Sequence, residues 1–218
     1  MRILVTLLMA AMMTLLTACG GGGTQAAADA PAKQEQKATT TTPAAEGKRV
    51  LVAYFSRADE NTGVGWIEKG NTRILAEMIA ERTHGGLFEI RAVQEYPKEY
   101  RPATEAAKQE KEENVRPEIV GELPDLSKYD VVFLGYPIWW SDMPMPVYTF
   151  LDRENFAGKI ILPFCTHEGS GLSGTDRTIA ETTKADVKDG FALAGHIAQN
   201  SPEEARTALY EWMSKQGY

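Results

Sequence analysis

Little in this chain invites a covalent or metal-based reading. Among 218 residues there are two cysteines, Cys19 and Cys165, and three histidines, His84, His167 and His196. A disulfide framework is excluded, and no two histidines stand at a metal-ligand spacing, so no metal site is expected. No Gly-x-Ser-x-Gly turn occurs, nor an obvious nucleophile–base pair. Positive charge is also short: 23 Lys and Arg face 30 Asp and Glu, for a formal net charge of −7. Nucleic acid needs a basic surface and is not an expected partner. No apolar stretch reaches the roughly 20 residues of a spanning helix, and no internal repeat is visible.

The first residues do carry an address. Met1-Arg2 supplies a positive charge, and Ile3 to Leu16 is an apolar run broken only by two threonines. That is the h-region of a secretory signal peptide. Leu16-Thr17-Ala18-Cys19 resembles a bacterial lipoprotein lipobox, which implies acylation of Cys19. Gly20 follows, instead of an inner-membrane-retaining Asp. The expected location is the bacterial cell envelope, lipid-anchored and extracytoplasmic, at the outer membrane if Gram-negative. With Cys19 lipidated, Cys165 has no disulfide partner and suits an apolar strand. Gly20 to Lys48 contains no Val, Ile, Leu or aromatic residue. Such a segment cannot offset its ordering entropy and reads as a tether. The expected divisions are 1–18 signal peptide, 19–48 tether and 49–218 folded domain.

The folded part alternates apolar strands with helical patterns. RVLVAYFS (Arg49 to Ser56), GLFEIRAV, YDVVFLGYPI (Tyr129 to Ile138), GKIILPFCT (Gly158 to Thr166) and GFALAG, running on to His196, read as five strands. Between them, NTRILAEMIAERTHGG is an amphipathic helix stopped by Gly85-Gly86. A mostly polar helix lies between Pro102 and Pro117, and its KQEKEEN run (Lys108 to Asn114) reads as a solvated face. Another helix begins at Pro144 and Pro146, and TDRTIAETTKA is a short one. The last helix starts at Ser201 and Pro202. Strands alternating with helices predict an α/β, doubly wound parallel sheet whose ligand lies beyond the strands' carboxyl ends.

The loops after strands one, three and four are the unusual ones. The first ends Gly70-Asn71-Thr72 and opens a helix, whose free N–H groups suit a phosphate, with Ser56 leaving the strand beside it. This loop has neither GxGxxG spacing nor a P-loop Lys. The second, PIWWSDMP, sets two tryptophans where polar residues are usual. They either cap the core or wall a flat aromatic ligand. The third, THEGSG, is a flexible strip rich in donors. Phosphate, polar linker and flat heteroaromatic ring together describe FMN.

On these motifs, Arg49 to about Gly195 resembles the flavodoxin-like flavoproteins, in particular a bacterial subgroup that pairs an LVAYFSR-like strand with GNT, GYPIWW and PFCT. The resemblance implies a five-stranded sheet in the order 2-1-3-4-5 with FMN at the tops of strands one, three and four. It implies that Ser56, Asn71 and Thr72, with Arg57, hold the phosphate. Pro137, Ile138, Trp139 and Trp140 would flank the ring or ribityl chain, one tryptophan against the flavin and the other packed inward or partly wet. Thr166, His167, Glu168, Gly169, Ser170 and Gly171 would form the other ring loop. The family's compact Ser/Thr-x-Thr-Gly-Asn-Thr loop is here interrupted by thirteen residues, Arg57 to Lys69, which leaves Asn61-Thr62-Gly63 as a rival cradle.

Three functions follow. The first is an FMN electron carrier serving redox partner proteins. The second is an FMN-dependent NAD(P)H oxidoreductase for a small quinone-like substrate, with His167 as candidate proton donor. The third is a lipid-anchored, non-redox binding protein on the same fold. His167 also reads as an exposed loop histidine, His84 and His196 as helix-end and strand-end residues, and Cys165 as a buried strand residue. For the anchor, Cys19→Ser is expected to abolish palmitate labelling of the expressed protein; continued labelling overturns the lipobox reading.

Overall fold

Successive side chains from Val50 to Phe55 point to opposite sides of the chain, and both sides are apolar. Val50, Val52 and Tyr54 belong to one buried layer, Leu51, Ala53 and Phe55 to the other. A strand of this kind must be covered on both faces, as parallel sheets are. The computed structural model describes residues 47–218. The signal segment, Cys19 and nearly all of the tether lie outside the described residues.

In chain order the elements are β1 (Val50–Tyr54), β2 (Asp59–Asn61), β3 (Gly65–Ile67), α1 (Asn71–Thr83), β4 (Gly86–Glu89), α2 (Tyr100–Glu112), β5 (Val131–Pro137), α3 (Met145–Arg153), β6 (Ile160–His167), α4 (Thr175–Thr183), β7 (Asp186–Val187), β8 (Phe191–Ala194), α5 (Gly195–Asn200) and α6 (Pro202–Lys215). The main sheet runs β4-β1-β5-β6, and β7 and β8 both pair with β6. All of these pairings are parallel. With β7 and β8 taken as one interrupted fifth strand, the order is the expected 2-1-3-4-5.

The alternation begun in β1 continues across the sheet. Val131 and Phe133 of β5 and Leu162 and Phe164 of β6 join the first layer, under Leu75 and Ile79 of α1 and Leu209 and Met213 of α6. Val132, Leu134 and Tyr136 of β5 and Ile161 and Cys165 of β6 join the second, under Val147 and Phe150 of α3 and Ile179 of α4. Each large apolar side chain so buried contributes roughly 1.5–3 kcal/mol. Cys165 is buried, and burial pushes its thiol up to about 12.

Four local expectations change. Asp59 to Ile67, expected as loop, forms the antiparallel hairpin β2–β3. α1 ends at Thr83, and His84 rather than a glycine takes the left-handed cap position at φ 53°. Pro102 lies inside the first turn of α2, where a missing N–H costs nothing. The fifth strand stops at Ala194, and Gly195-His196 opens α5, so His196 is a helix residue. α5 is too short for periodicity to reveal it. Ser201 does occupy the cap position of α6, but its side chain makes no capping bond.

Gly135 explains the first letter of GYPIWW. A Cβ there would collide with the ring of Phe164, on the neighbouring strand and fully buried. Overpacking of this kind costs about 1–3 kcal/mol. Gly135→Ala is expected to lower unfolding stability by about that much in urea titration; an unchanged midpoint would mean the ring moves freely.

Candidate functional site

β1, β5 and β6 run the same way, so the loops that leave their carboxyl ends gather at one edge of the sheet. The chain passes from β1 outward to β4 on one side and then to β5 on the other, which makes this edge a topological switch point. A cleft of about 540 Å³ opens there, within the roughly 300–1,000 Å³ usual for ligand sites. Asn71, Pro137, Ile138, Trp139, Trp140, Thr166, His167 and Glu168 line it. Ser56, Arg57, Thr72, Gly169, Ser170 and Gly171 do not.

Several polar groups of those absentees are engaged elsewhere. Ser56 Oγ accepts the Arg73 N–H at 3.1 Å and so satisfies one open donor of α1's first turn. Thr72 is 1% exposed, and its hydroxyl pairs with that of Thr166 at 2.8 Å. Arg57 donates to the carbonyls of Glu60 at 2.6 Å, Pro97 at 2.8 Å and Lys98 at 2.5 Å, which fastens the inserted hairpin to the segment before α2. Burial lowers the Arg57 pKa. At this end of the cleft the lining groups are Asn71 and, from the rival cradle, Asn61 and Thr62. Asn71 Oδ1 is buried with no partner among the described residues. Such an acceptor is costly unless a donor reaches it. In the Gly/Ser loop, Gly169 and Gly171 have φ of 120° and 59°, and Gly169 donates its N–H to His167 Nδ1 at 2.8 Å.

The two tryptophans divide. Trp139 packs inward, edge-on to Phe55 with ring centroids 5.3 Å apart and to Tyr96 at 5.0 Å. Trp140 is 47% exposed. Trp139 and Asp142 exchange backbone hydrogen bonds of 2.9 and 3.0 Å, and the residues between them, Trp140 and Ser141, have φ of 52° and 58°. Two successive left-handed residues make a tight turn that favours Gly or Asn. Each other residue there costs roughly 1–2 kcal/mol. Three contacts hold the turn nonetheless. Trp140 Nε1 donates to the Thr104 carbonyl at 2.8 Å, Lys111 Nζ donates to the Trp140 carbonyl at 2.7 Å, and Lys111 pairs with Asp142 at 3.2 Å. Lys108 Nζ sits 5.6 Å from the indole centroid.

Helix α2 is the wall that the sequence did not reveal. Tyr100, Arg101, Thr104, Glu105 and Ala107 line the cleft, and Lys108 and Lys111 fasten Trp140. The KQEKEEN run is therefore only partly a solvated face. Charges at close spacing read the same whether they face water or a neighbouring loop, so no local signal separated the two.

His167 lies half-buried at the cleft, and burial holds its imidazole below the ordinary range, against the opposing pull of Glu168. In the neutral form, with Nδ1 accepting from Gly169, the ring proton resides on Nε2 and is a free donor. Glu168 accepts the His196 N–H at 2.9 Å through Oε1, and its Oε2 lies 2.7 Å from His196 Nδ1.

A switch-point cleft with aromatic walls and few acid–base groups defines a ligand-binding α/β protein of the doubly wound class. The family model described as Flavodoxin matches residues 49–216. The chain belongs to the flavodoxin family and has its flavoprotein fold. It is similar to a provisionally described flavoprotein from Bacteroides eggerthii, with TM-score 0.59 and 26% identity, covering 77% of this chain and 96% of that one. Another from Bacteroides uniformis has TM-score 0.60 and 26% identity, with coverages of 78% and 99%. A flavoprotein from Lactobacillus acidophilus in complex with FMN shares the fold at TM-score 0.54 and 20% identity, with coverages of 70% and 97%. No curated protein sequence matches the chain.

The Thr72–Thr166 pair joins the start of α1 to the end of β6 beneath the cleft. Thr72→Val strands the Thr166 hydroxyl and is expected to cost about 1–3 kcal/mol, whereas Thr72→Val with Thr166→Val is expected to recover most of that loss. Chemical denaturation of the three proteins measures both; a double variant as unstable as the sum of the singles would show that the hydroxyls act separately.

Proposed function

We propose that this protein binds FMN and carries electrons between redox partners. The observation that carries the reading is Trp140, an indole half exposed on the cleft in a strained turn that three contacts keep in place. Core packing does not need an exposed indole, and strain held by its surroundings is a mark of functional sites. A flat ligand gives the arrangement a purpose.

The residues present fit FMN. The cleft is of ligand size, and Asn71 Oδ1 is a buried acceptor awaiting a donor such as a hydroxyl of the polar linker. Trp140, Pro137 and Ile138 would hold the ring end, with His167 donating from Nε2. Asn71, the first-turn N–H groups of α1 and the Asn61-Thr62 segment would hold the phosphate end, in place of the side chains of Ser56, Arg57 and Thr72. Bound FMN supplies one- and two-electron redox chemistry. The chain's own part is to bind the flavin, orient it and limit its access to water. Its net acidity suits docking to basic partner proteins. The GYPIWW loop aligns it with the bacterial subgroup, and the lipobox gives it an extracytoplasmic, lipid-anchored address in the cell envelope.

A second reading is an NAD(P)H-dependent quinone-type reductase. His167 favours it, since a neutral imidazole with a free N–H at the cleft is equipped to donate a proton. Steady NAD(P)H oxidation with a quinone by the pure protein identifies the reductase; activity only with a partner reductase identifies the carrier.

The visible spectrum of the purified chain, before and after addition of FMN and desalting, tests the cofactor. Flavin bands that survive desalting are expected, and a protein that stays colourless overturns both redox readings. Trp140→Ala is expected to weaken FMN binding about three- to tenfold, the worth of one aromatic stacking contact. Equilibrium titration followed by flavin fluorescence measures it.

A further inference from the structure

A carboxylate stands where a phosphate-bearing ligand would be repelled. Glu168 lines the cleft, and any side chain at Gly195 would collide with the Asn71 amide while lying 3.0 Å from Glu168 Oε1. The amide at the head of α1 and the carboxylate therefore converge on one spot. A Cβ at Gly63 would lie 2.9 Å from the Glu168 carboxyl carbon, so the β2–β3 hairpin reaches the same group. An uncompensated negative charge here opposes any phosphate at α1's first turn.

One residue holds that carboxylate. Both Glu168 oxygens are engaged by His196, one through its backbone N–H and one through its ring. Three neighbouring groups have different partners. His167 Nδ1 accepts from Gly169, Lys69 pairs with Glu77 at 2.6 Å, and Gln199 donates to the Lys69 carbonyl at 2.5 Å. Among the described residues His196 is the one basic group within ion-pair distance of Glu168.

We infer that His196 is a residue of the ligand site: its backbone N–H and its ring hold the Glu168 carboxylate against α5, so that the cleft accepts a flavin bearing a phosphate in preference to the same flavin without one. The inference rests on the flavin reading above and adds a specificity-determining pair to it. His196 acts through Glu168 and is a positioning residue.

The test is equilibrium binding of FMN and of riboflavin to the full chain and to His196→Gln, Glu168→Gln and the double variant. His196→Gln leaves the carboxylate charged and without the imidazole contact to Oε2. It is expected to weaken FMN about three- to fivefold, as a half-exposed pair allows, and to leave riboflavin affinity unchanged. Adding Glu168→Gln is expected to restore FMN binding, and added salt to shrink the FMN difference. Equal weakening of both flavins, no weakening of FMN, or no recovery in the double variant overturns the inference. Riboflavin binding also reports whether each variant is folded. Should His196→Gln fail to fold, Glu168→Gln alone decides: it must bind FMN at least as tightly as the parent chain, and weaker binding overturns the proposal. If the parent chain binds neither flavin, the flavin reading falls and this inference with it. If FMN binds but ignores His196, only this inference falls.

Discussion

Burial on both faces of the three central strands is the constraint from which the other features follow. Each of β1, β5 and β6 alternates its side chains between two apolar layers. Water on either side would expose half of those residues, so helices must return on both faces. Helical crossovers between successive strands let those strands run parallel and gather their carboxyl ends at one edge. The site is thus a consequence of the core. Gly135 shows how tight that core is at the edge itself, where the strand pauses at a residue without a side chain so that Phe164 can fill the layer.

Above the core, polar groups are handled in two ways. Some are engaged within the protein: Ser56 Oγ accepts the Arg73 N–H, Thr72 pairs with Thr166, and Arg57 donates to three carbonyls. These fasten α1, the inserted hairpin and the sheet into one frame. Others lack a partner among the described residues or face the cleft: the buried Asn71 Oδ1, the Nε2 of His167 and the exposed face of Trp140. The same frame that removes Ser56 and Thr72 from the cleft keeps these in position, and α2 clamps the strained Trp140 turn from outside. Rigid support beneath a few open groups is what preorganised binding requires.

Much of the architecture was legible because it is local. Two-residue alternation in RVLVAYFS, the apolar run YDVVFLGYPI and the helical spacing of Ile74, Leu75, Met78 and Ile79 each declare an element without reference to the rest of the chain. The site was legible at the level of loops, since the tops of strands one, three and four do meet. It was less legible at the level of side chains. Ser56 and Thr72 have the chemistry of phosphate ligands, and their hydroxyl oxygens also meet the Arg73 N–H and the Thr166 hydroxyl, contacts that no local pattern reveals. The hairpin β2–β3 and the short helix α5 fell below the length at which periodicity speaks, and α2's role as a wall was hidden in charges that read as solvated.

Sequence by itself determined the α/β class and which loops form the cleft, because periodicity and chain connectivity constrain them strongly, and the strand order followed from the family resemblance that its motifs carry. Tertiary structure alone decided which groups in those loops stay open. Thr72 and Thr166 are 94 residues apart, Trp140 and the Thr104 carbonyl 36, and Glu168 and His196 28. Hydrogen bonds and ion pairs form by proximity in space, and proximity at such separations exists only once the core has closed.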